Sequence, residues 1–485
     1  MRNKLYDNYS YEIPISPYSE TFYNEWRIDE NRSDYNLVVV QAFEGILCRK
    51  KLDQALKRLV SDYIILNSHI KERDNKLYWV KNKDVSGLDP KIILSSKEMA
   101  DFILKPFDLN AGPLYRFALK ENSPTHYEFV IILHHILIDG SSTDKFLDEI
   151  SNYYNSDFYK CADDFDKQLK QITAVSSQLN EYMGEIQKES SLYWDKFLSN
   201  IDPLDLSFLK AQAKKIVSIK NRPSTVQDYC GIGEVRFSFD KAAVEKASQV
   251  CRHYKITSYI YSKIIFAILL HKYTGLKRFC TSYPVAIREG AELMHGGHVN
   301  TIFSSFDFDN QLHLGLHLDN LRQSIKSLKD DHLQHQYLPV PDILSLKDKK
   351  LLNVSFALTN IKEHKIELLG LKTSIVYGVN VDLSTDLSWE QDSSKNALSF
   401  CVKYKKDQIN KDLLNEFIKS YKKIFIEITD NLLDKNFEEN VSLNQIGLLN
   451  NDVFRKTTID WNDTRGEYPR DKTVQELFEE QVERT

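Results

Sequence analysis

Two adjacent histidines at the end of an apolar run, followed by an aspartate and a glycine, are the residues of this chain best suited to chemistry. They stand in residues 129–142, FVIILHHILIDGSS. Histidine is the side chain whose ordinary pKa lies nearest neutrality, so at a strand end facing a cleft it can take a proton from an amine or hydroxyl nucleophile. Neighbouring side chains on a strand point to opposite faces. One histidine is therefore buried and structural while the other meets the cleft; His134 takes the first role and His135 the second. Asp139 follows four residues on and can orient the loop. Gly140 lets the backbone come close to a substrate.

The elements that must position these residues read as alternating helices and strands. Residues 53–70 have helical apolar spacing, 76–80 read as a strand, and a short helix around 99–104 stops near Pro106. Strands at 113–119 and 126–133 are joined by a polar turn, and a helix capped by Ser142 or Thr143 follows the motif. Region 160–230 is polar and mostly helical. A second mixed block starts at 232: helices at 240–254, 257–273, 315–335 and 408–433, with strands at 234–239, 278–286, 352–358, 372–378 and 397–404. Two rounds of interleaved helices and strands imply two α/β lobes. The division is expected at 1–175 and 176–440, with 441–485 as a polar, turn-rich linker.

Bulk properties narrow the function. The 485 residues are 42% hydrophobic and 12% aromatic, enough for two sizeable cores. A formal net charge of −5 and the lack of a long basic run leave no electrostatic footprint for nucleic acid. The longest apolar runs, 129–138 and 264–270, are far short of the ~20 residues that span a bilayer. The opening MRNKLYDNYSYEIP has no apolar signal region, and the six cysteines are scattered without a CxxC pair. A reduced cytoplasm, no metal site and no disulfide framework are the expectations.

HHILIDG resembles HHxxxDG, the signature of condensation domains of nonribosomal peptide synthetases and of the wider chloramphenicol-acetyltransferase-like superfamily. PFDLNAGPLYRFAL at 106–119 is similar to that family's segment upstream of the histidine strand. YTGLKRFCTSYPVAIRE resembles its stretch ending in a fixed arginine, here Arg288. HGGHVNT at 295–301 and HQYLPV at 335–340 resemble two further segments, and WNDTRGEYPRDKTVQELFEEQ resembles the linker to an adenylation domain. The opening SPYSETFYNEW and the segment DYIILNSHI depart from the family's usual patterns, which leaves the donor subtype open.

The resemblance implies two acetyltransferase-like lobes in a V-shaped pseudo-dimer with a central tunnel. It implies amide-bond formation: a carrier-bound aminoacyl amine attacks a carrier-bound acyl or peptidyl thioester at His135. Substrates would arrive on 4'-phosphopantetheine arms of donor and acceptor carrier proteins, with no cofactor held by the domain itself and an adenylation domain downstream. Asp139 would pair with Arg288, Gly140 would offer an N–H toward the oxyanion, and Ser142 and Asn300 would line the tunnel. Two alternatives stay open: starter-type N-acylation from an acyl-CoA or acyl-carrier donor, and a non-catalytic carrier-docking module; if Met1 is the natural start the donor arrives in trans, from a partner synthetase or as a starter acyl group.

Overall fold

The computed structural model describes residues 10–82, 90–93, 95–159, 165–210, 231–287, 296–308, 334–346, 349–359, 365–380, 384–392, 397–434, 443–448, 455–464, 466 and 471–484. The first lobe is built from β1 (Glu12–Pro14), α1 (Pro17–Ile28), β2 (Asn36–Glu44), α2 (Arg49–Asp62), β3 (Ser68–Arg73), β4 (Lys76–Lys81), β5 (Lys91–Ile93), α3 (Ser96–Leu104), β6 (Tyr115–Ser123), β7 (His126–His134), α4 (Gly140–Asn155) and α5 (Phe165–Leu198). The second lobe adds β8 (Ile232–Ser238), α6 (Lys241–His253), α7 (Ser258–Thr274), β9 (Arg278–Ala286), β10 (Val299–Asp307), α8 (Val340–Ser345), β11 (Val354–Thr359), β12 (Lys372–Asn380), β13 (Leu387–Asp392), β14 (Ser399–Lys405) and α9 (Lys411–Leu433). Near the C-terminus stands α10 (Val474–Arg484), with Val474, Phe478 and Val482 exposed.

Each lobe centres on a sheet. The first has strand order β12-β2-β7-β6-β5 and the second β10-β9-β11-β13-β14-β8. In the first sheet β7 lies between β2 and β6, and Phe129 to Leu133 are buried on both faces. That is why FVIIL is continuously apolar rather than alternating. In the second lobe α7 is apolar all round, with Tyr261 to Leu270 buried, as a helix walled in by the sheet and neighbouring helices must be. It ends at Gly275, whose φ of 70° gives the left-handed cap.

Several sequence expectations shift. The helix expected over 53–70 runs Arg49–Asp62 and gives way to β3. Asp74 and Asn75 both take positive φ, 50° and 58°, and close a tight β3–β4 hairpin. Most of the helix expected at 315–335 lies outside the described residues. The division expected at 175/176 falls inside α5, whose Trp194 and Leu198 pack with Cys280, Ile302 and Phe303 of the second lobe. Residues 366–380 also cross back: β12 pairs antiparallel with β2, and the Gln41 side chain accepts the Ile366 N–H at 2.9 Å. A long helix and an edge strand thus lace the two halves, which no local pattern in the sequence announces.

Candidate active site

The histidine pair sits where the first sheet stops. His134 is the last residue of β7, opposite Asn36, and its N–H donates to Leu114. The chain then leaves the strand in a 3-10 turn, His135–Leu137, so the two rings diverge through the turn rather than by strand alternation. His134 is buried and its Nδ1 accepts the Ile136 N–H at 3.2 Å, which pins the turn. The His135 N–H donates to the Tyr35 carbonyl at 2.9 Å. The His135 ring is half-buried and lines a cavity of about 400 Å³ between the lobes.

Asp139 anchors the turn from behind. It is fully buried and caps α4: its Oδ1 accepts the Ser142 N–H at 3.1 Å while Ser142 Oγ accepts the Asp139 N–H at 2.9 Å. Its Oδ2 accepts the His298 N–H at 3.1 Å from the second lobe. Close by, the Gly297 N–H donates to Ile136 O, and the His298 carbonyl accepts the Ile287 N–H at 2.7 Å. The motif loop is thereby bonded across the lobe interface at two points. Arg288, the expected partner of Asp139, lies outside the described residues.

Electrostatics set the two histidines apart from free imidazole. Burial pulls the His134 pKa to about 3, with the neighbouring His135 adding to the shift, so His134 is neutral. Burial also lowers His135, opposed by its own carbonyl, the Asp139 carboxylate and the Ile138 carbonyl. His135 Nδ1 is sealed from solvent and meets no hydrogen-bond partner among the described residues. A sealed Nδ1 leaves Nε2 as the ring nitrogen able to exchange a proton with a bound substrate.

The cavity wall carries residues that sequence reasoning passed over. Phe22 of α1 stacks on the His135 ring, centroids 5.3 Å apart and planes 22° from parallel. Tyr35 meets Phe22 edge-on at 4.8 Å and donates its hydroxyl to Glu25 Oε2 at 2.6 Å. Arg32 donates to the same Glu25 oxygen at 2.9 Å and grips Asp34 through Nε at 2.8 Å and through Nη2. The available signal was the density of aromatic and charged residues between Tyr18 and Tyr35, ahead of a strand that had to be buried.

The other expected site residues are placed as follows. Asn300 of β10 lines the cavity, but its amide is committed to backbone: Nδ2 donates to Gln336 O and Leu338 O, both at 2.7 Å, and Oδ1 accepts the Val340 N–H. It builds the wall rather than offering a free amide. Ser142 is buried in the α4 cap and does not line the cavity. Gly140 is exposed at the first turn of α4, with nothing within 4 Å of an added Cβ and no positive φ. Backbone strain and close approach therefore do not explain a glycine there. Among the described residues no cluster of histidine, cysteine, aspartate or glutamate is arranged to hold a metal ion, and no helix is long and apolar enough to cross a membrane.

Comparison with known proteins identifies the architecture. Residues 10–444 match the model of the family described as Condensation domain. The chain is 22% identical over 491 residues to gramicidin S synthase 2 of Brevibacillus brevis, covering 97% of this chain and 10% of the synthase. It is 23% identical over 493 residues to tyrocidine synthase 3 of Brevibacillus parabrevis, covering 97% of this chain and 7% of that synthase. The chain thus spans a tenth or less of the length of these two relatives. A four-domain nonribosomal peptide synthetase bound to AMP and glycine superposes with a TM-score of 0.76 at 16% identity, over 98% of this chain and 37% of that one. The first condensation domain of the CDA synthetase gives 0.66 at 14% identity, over 90% and 100%. Two sheet-centred lobes laced together around a histidine-lined cavity, and a family match over nearly the whole chain, place this protein in the condensation-domain family of nonribosomal peptide synthetases, with its chloramphenicol-acetyltransferase-like pseudo-dimer fold.

Proposed function

We propose that the chain forms an amide bond between two carrier-bound substrates. The observation that carries this reading is His135, the ring presented to the cavity between the lobes from a turn bonded to both of them. A donor acyl or peptidyl thioester and an acceptor aminoacyl thioester meet beside it, each on a 4'-phosphopantetheine arm. The acceptor nitrogen attacks the donor carbonyl, the C–S bond breaks, and the donor carrier leaves as its thiol. The amine proton passes to His135 Nε2 and then to the departing sulfur.

Two tethered reactants held in an attack geometry gain most from proximity. A thioester is already activated, so a neutral imidazole is base enough. Asp139 acts on the loop and Asn300 on the wall; neither needs to touch the reacting atoms. An adenylation domain following the chain fits the WNDTRGEYPRDKTVQELFEEQ segment, whose α10 helix starts with a Thr473–Glu476 capping box and exposes an apolar face. The starter condensation domain of rhizomide synthetase, solved with C8-CoA, also superposes at 0.66, so fold likeness alone does not select the donor.

A single-turnover transfer assay read by intact-protein mass spectrometry tests the proposal. One carrier is loaded with a panel of acyl and aminoacyl donors and the other with an aminoacyl acceptor. The expected result is a mass gain on the acceptor carrier that falls at least ~100-fold in His135→Ala, the scale of a lost general base. Carrier binding without transfer for every donor would replace this reading by the docking one.

A further inference from the structure

We infer that Phe22 is a positioning residue: its ring, stacked on the His135 imidazole and met at Cε2 by Gly297 of the second lobe, fixes the plane in which His135 meets the substrates. This rests on the transfer reading above for its kinetic consequence, but not for its geometry.

Four contacts converge on the ring, one of them the His134 ring edge-on at 6.3 Å. Its face lies on the imidazole at 5.3 Å. Its edge takes the Tyr35 ring at 4.8 Å, and the Tyr35 carbonyl holds the His135 N–H. The backbone of Gly297 closes in on the ring and on the His135 carbonyl together. A Cβ at Gly297 would come 3.1 Å from His135 O and 3.3 Å from Phe22 Cε2, tighter than ordinary van der Waals contact. Only a residue without a side chain lets the second lobe approach both the histidine backbone and the aromatic ring at once.

An imidazole on a short turn has two side-chain torsions to fix. The backbone bonds to the Tyr35 carbonyl and from the Ile138 N–H place its Cα, but they leave the ring plane free. Among the described residues Phe22 makes the one stacked ring contact with His135, and the stacked face also keeps water off the imidazole. The charged groups around the site are Asp139 behind the turn, neutral His134 beside it, and Glu25, Arg32, Asp34 and Lys405 on the cavity wall. Phe22 carries no charge, so its influence on His135 must run through desolvation and orientation.

The test uses the full chain labelled with ¹³C-histidine. The His135 Cε1 resonance is identified among the 13 histidines by its loss in His135→Asn. Phe22→Leu removes the flat face and keeps an apolar side chain; Phe22→Tyr keeps the face. Gly297→Ala sets a Cβ against both His135 O and Phe22 Cε2. In Phe22→Leu the His135 titration is expected to move up toward the ordinary histidine value. The transfer kcat should fall about tenfold, as for a small misplacement of a reacting group, with KM for loaded carriers within about twofold. Phe22→Tyr should restore both readouts, and Gly297→Ala should lower kcat in the same manner.

A His135 titration that superimposes on wild type in both Phe22→Leu and Gly297→Ala, each folded by circular dichroism, would overturn the inference. So would an equal loss of kcat in Phe22→Tyr. Should Phe22→Leu not fold, Gly297→Ala with Phe22→Tyr decides alone. A titration that moves while wild type transfers nothing leaves the clamp standing and removes the transfer reading instead.

Discussion

At the scale of single residues, the proposed transfer depends on keeping one imidazole neutral and correctly turned. A base works only when deprotonated, so the acid limb of the rate–pH profile follows the folded-state pKa of His135. Burial lowers that pKa from its ordinary value near 6.5, so the limb is expected below 6.5 rather than at neutrality. The acceptor ammonium also titrates, and it can be told apart. Replacing the acceptor by one with a less basic amine moves the amine's limb and leaves the histidine's in place. Single-turnover rates from pH 5 to 8 with two such acceptors give the check; an invariant limb centred at or above 7 would contradict the buried-imidazole picture. The same logic separates the neighbours. His134, driven to about 3, is too weak a base to serve and spends its Nδ1 on the turn.

At the scale of elements, the start of α4 is where local structure and the lobe interface share one side chain. Asp139 satisfies the first turn of α4 through Oδ1 and the His298 backbone through Oδ2. Asp139→Ala is predicted to cost about 2–4 kcal/mol, from a lost N-cap and a buried N–H left without its carboxylate. Asp139→Ser, which can still cap, should recover about 1 kcal/mol of that and no interface bond. Urea unfolding of the two variants checks the ordering; equal stabilities would mean that the cap contributes nothing. This double use explains what the sequence shows and what it hides. HHILIDG displays its histidines because a buried strand must end there, but the cap expected at Ser142 or Thr143 falls to Asp139, with Ser142 at N3 closing the capping box. The tie to His298 is 159 positions away and carries no local pattern. The aromatic density around Phe22 and Tyr35 signals packing but not a role, because an aromatic near the N-terminus looks the same whether it fills a core or faces an imidazole. The β3–β4 hairpin was readable in principle from Asp74-Asn75, but the apolar spacing of 53–66 ran into it and extended the helix on paper.

At the scale of the whole molecule, each lobe holds a basic group whose pKa burial lowers, and stability against pH should report it. In the second lobe Lys263 of α7 is fully enclosed. Its Nζ donates to Ser304 Oγ at 2.8 Å and sits 4.2 Å from the centre of the Tyr283 ring. Burial pulls its pKa to about 7 from an ordinary value of 10.5. Between those values the unfolded chain binds the proton and the folded chain does not, so this group's contribution to stability rises with pH across that window. It is lost as pH falls back toward 7. His134 behaves alike in a separate window, between about 6.5 and about 3. Lys263→Met keeps the length of the side chain and removes the charge, as when buried ionic groups are replaced by apolar ones of similar volume. The variant is predicted to gain a few degrees of Tm at pH 6–7, a gain that shrinks toward pH 10. The His134 window remains intact in it, so its stability should still decline below pH 6.5. Calorimetric scans of the two proteins from pH 5 to 10 decide the matter. Parallel Tm curves would mean that Lys263 is charged throughout or hydrated, and that the second lobe carries no buried neutral lysine.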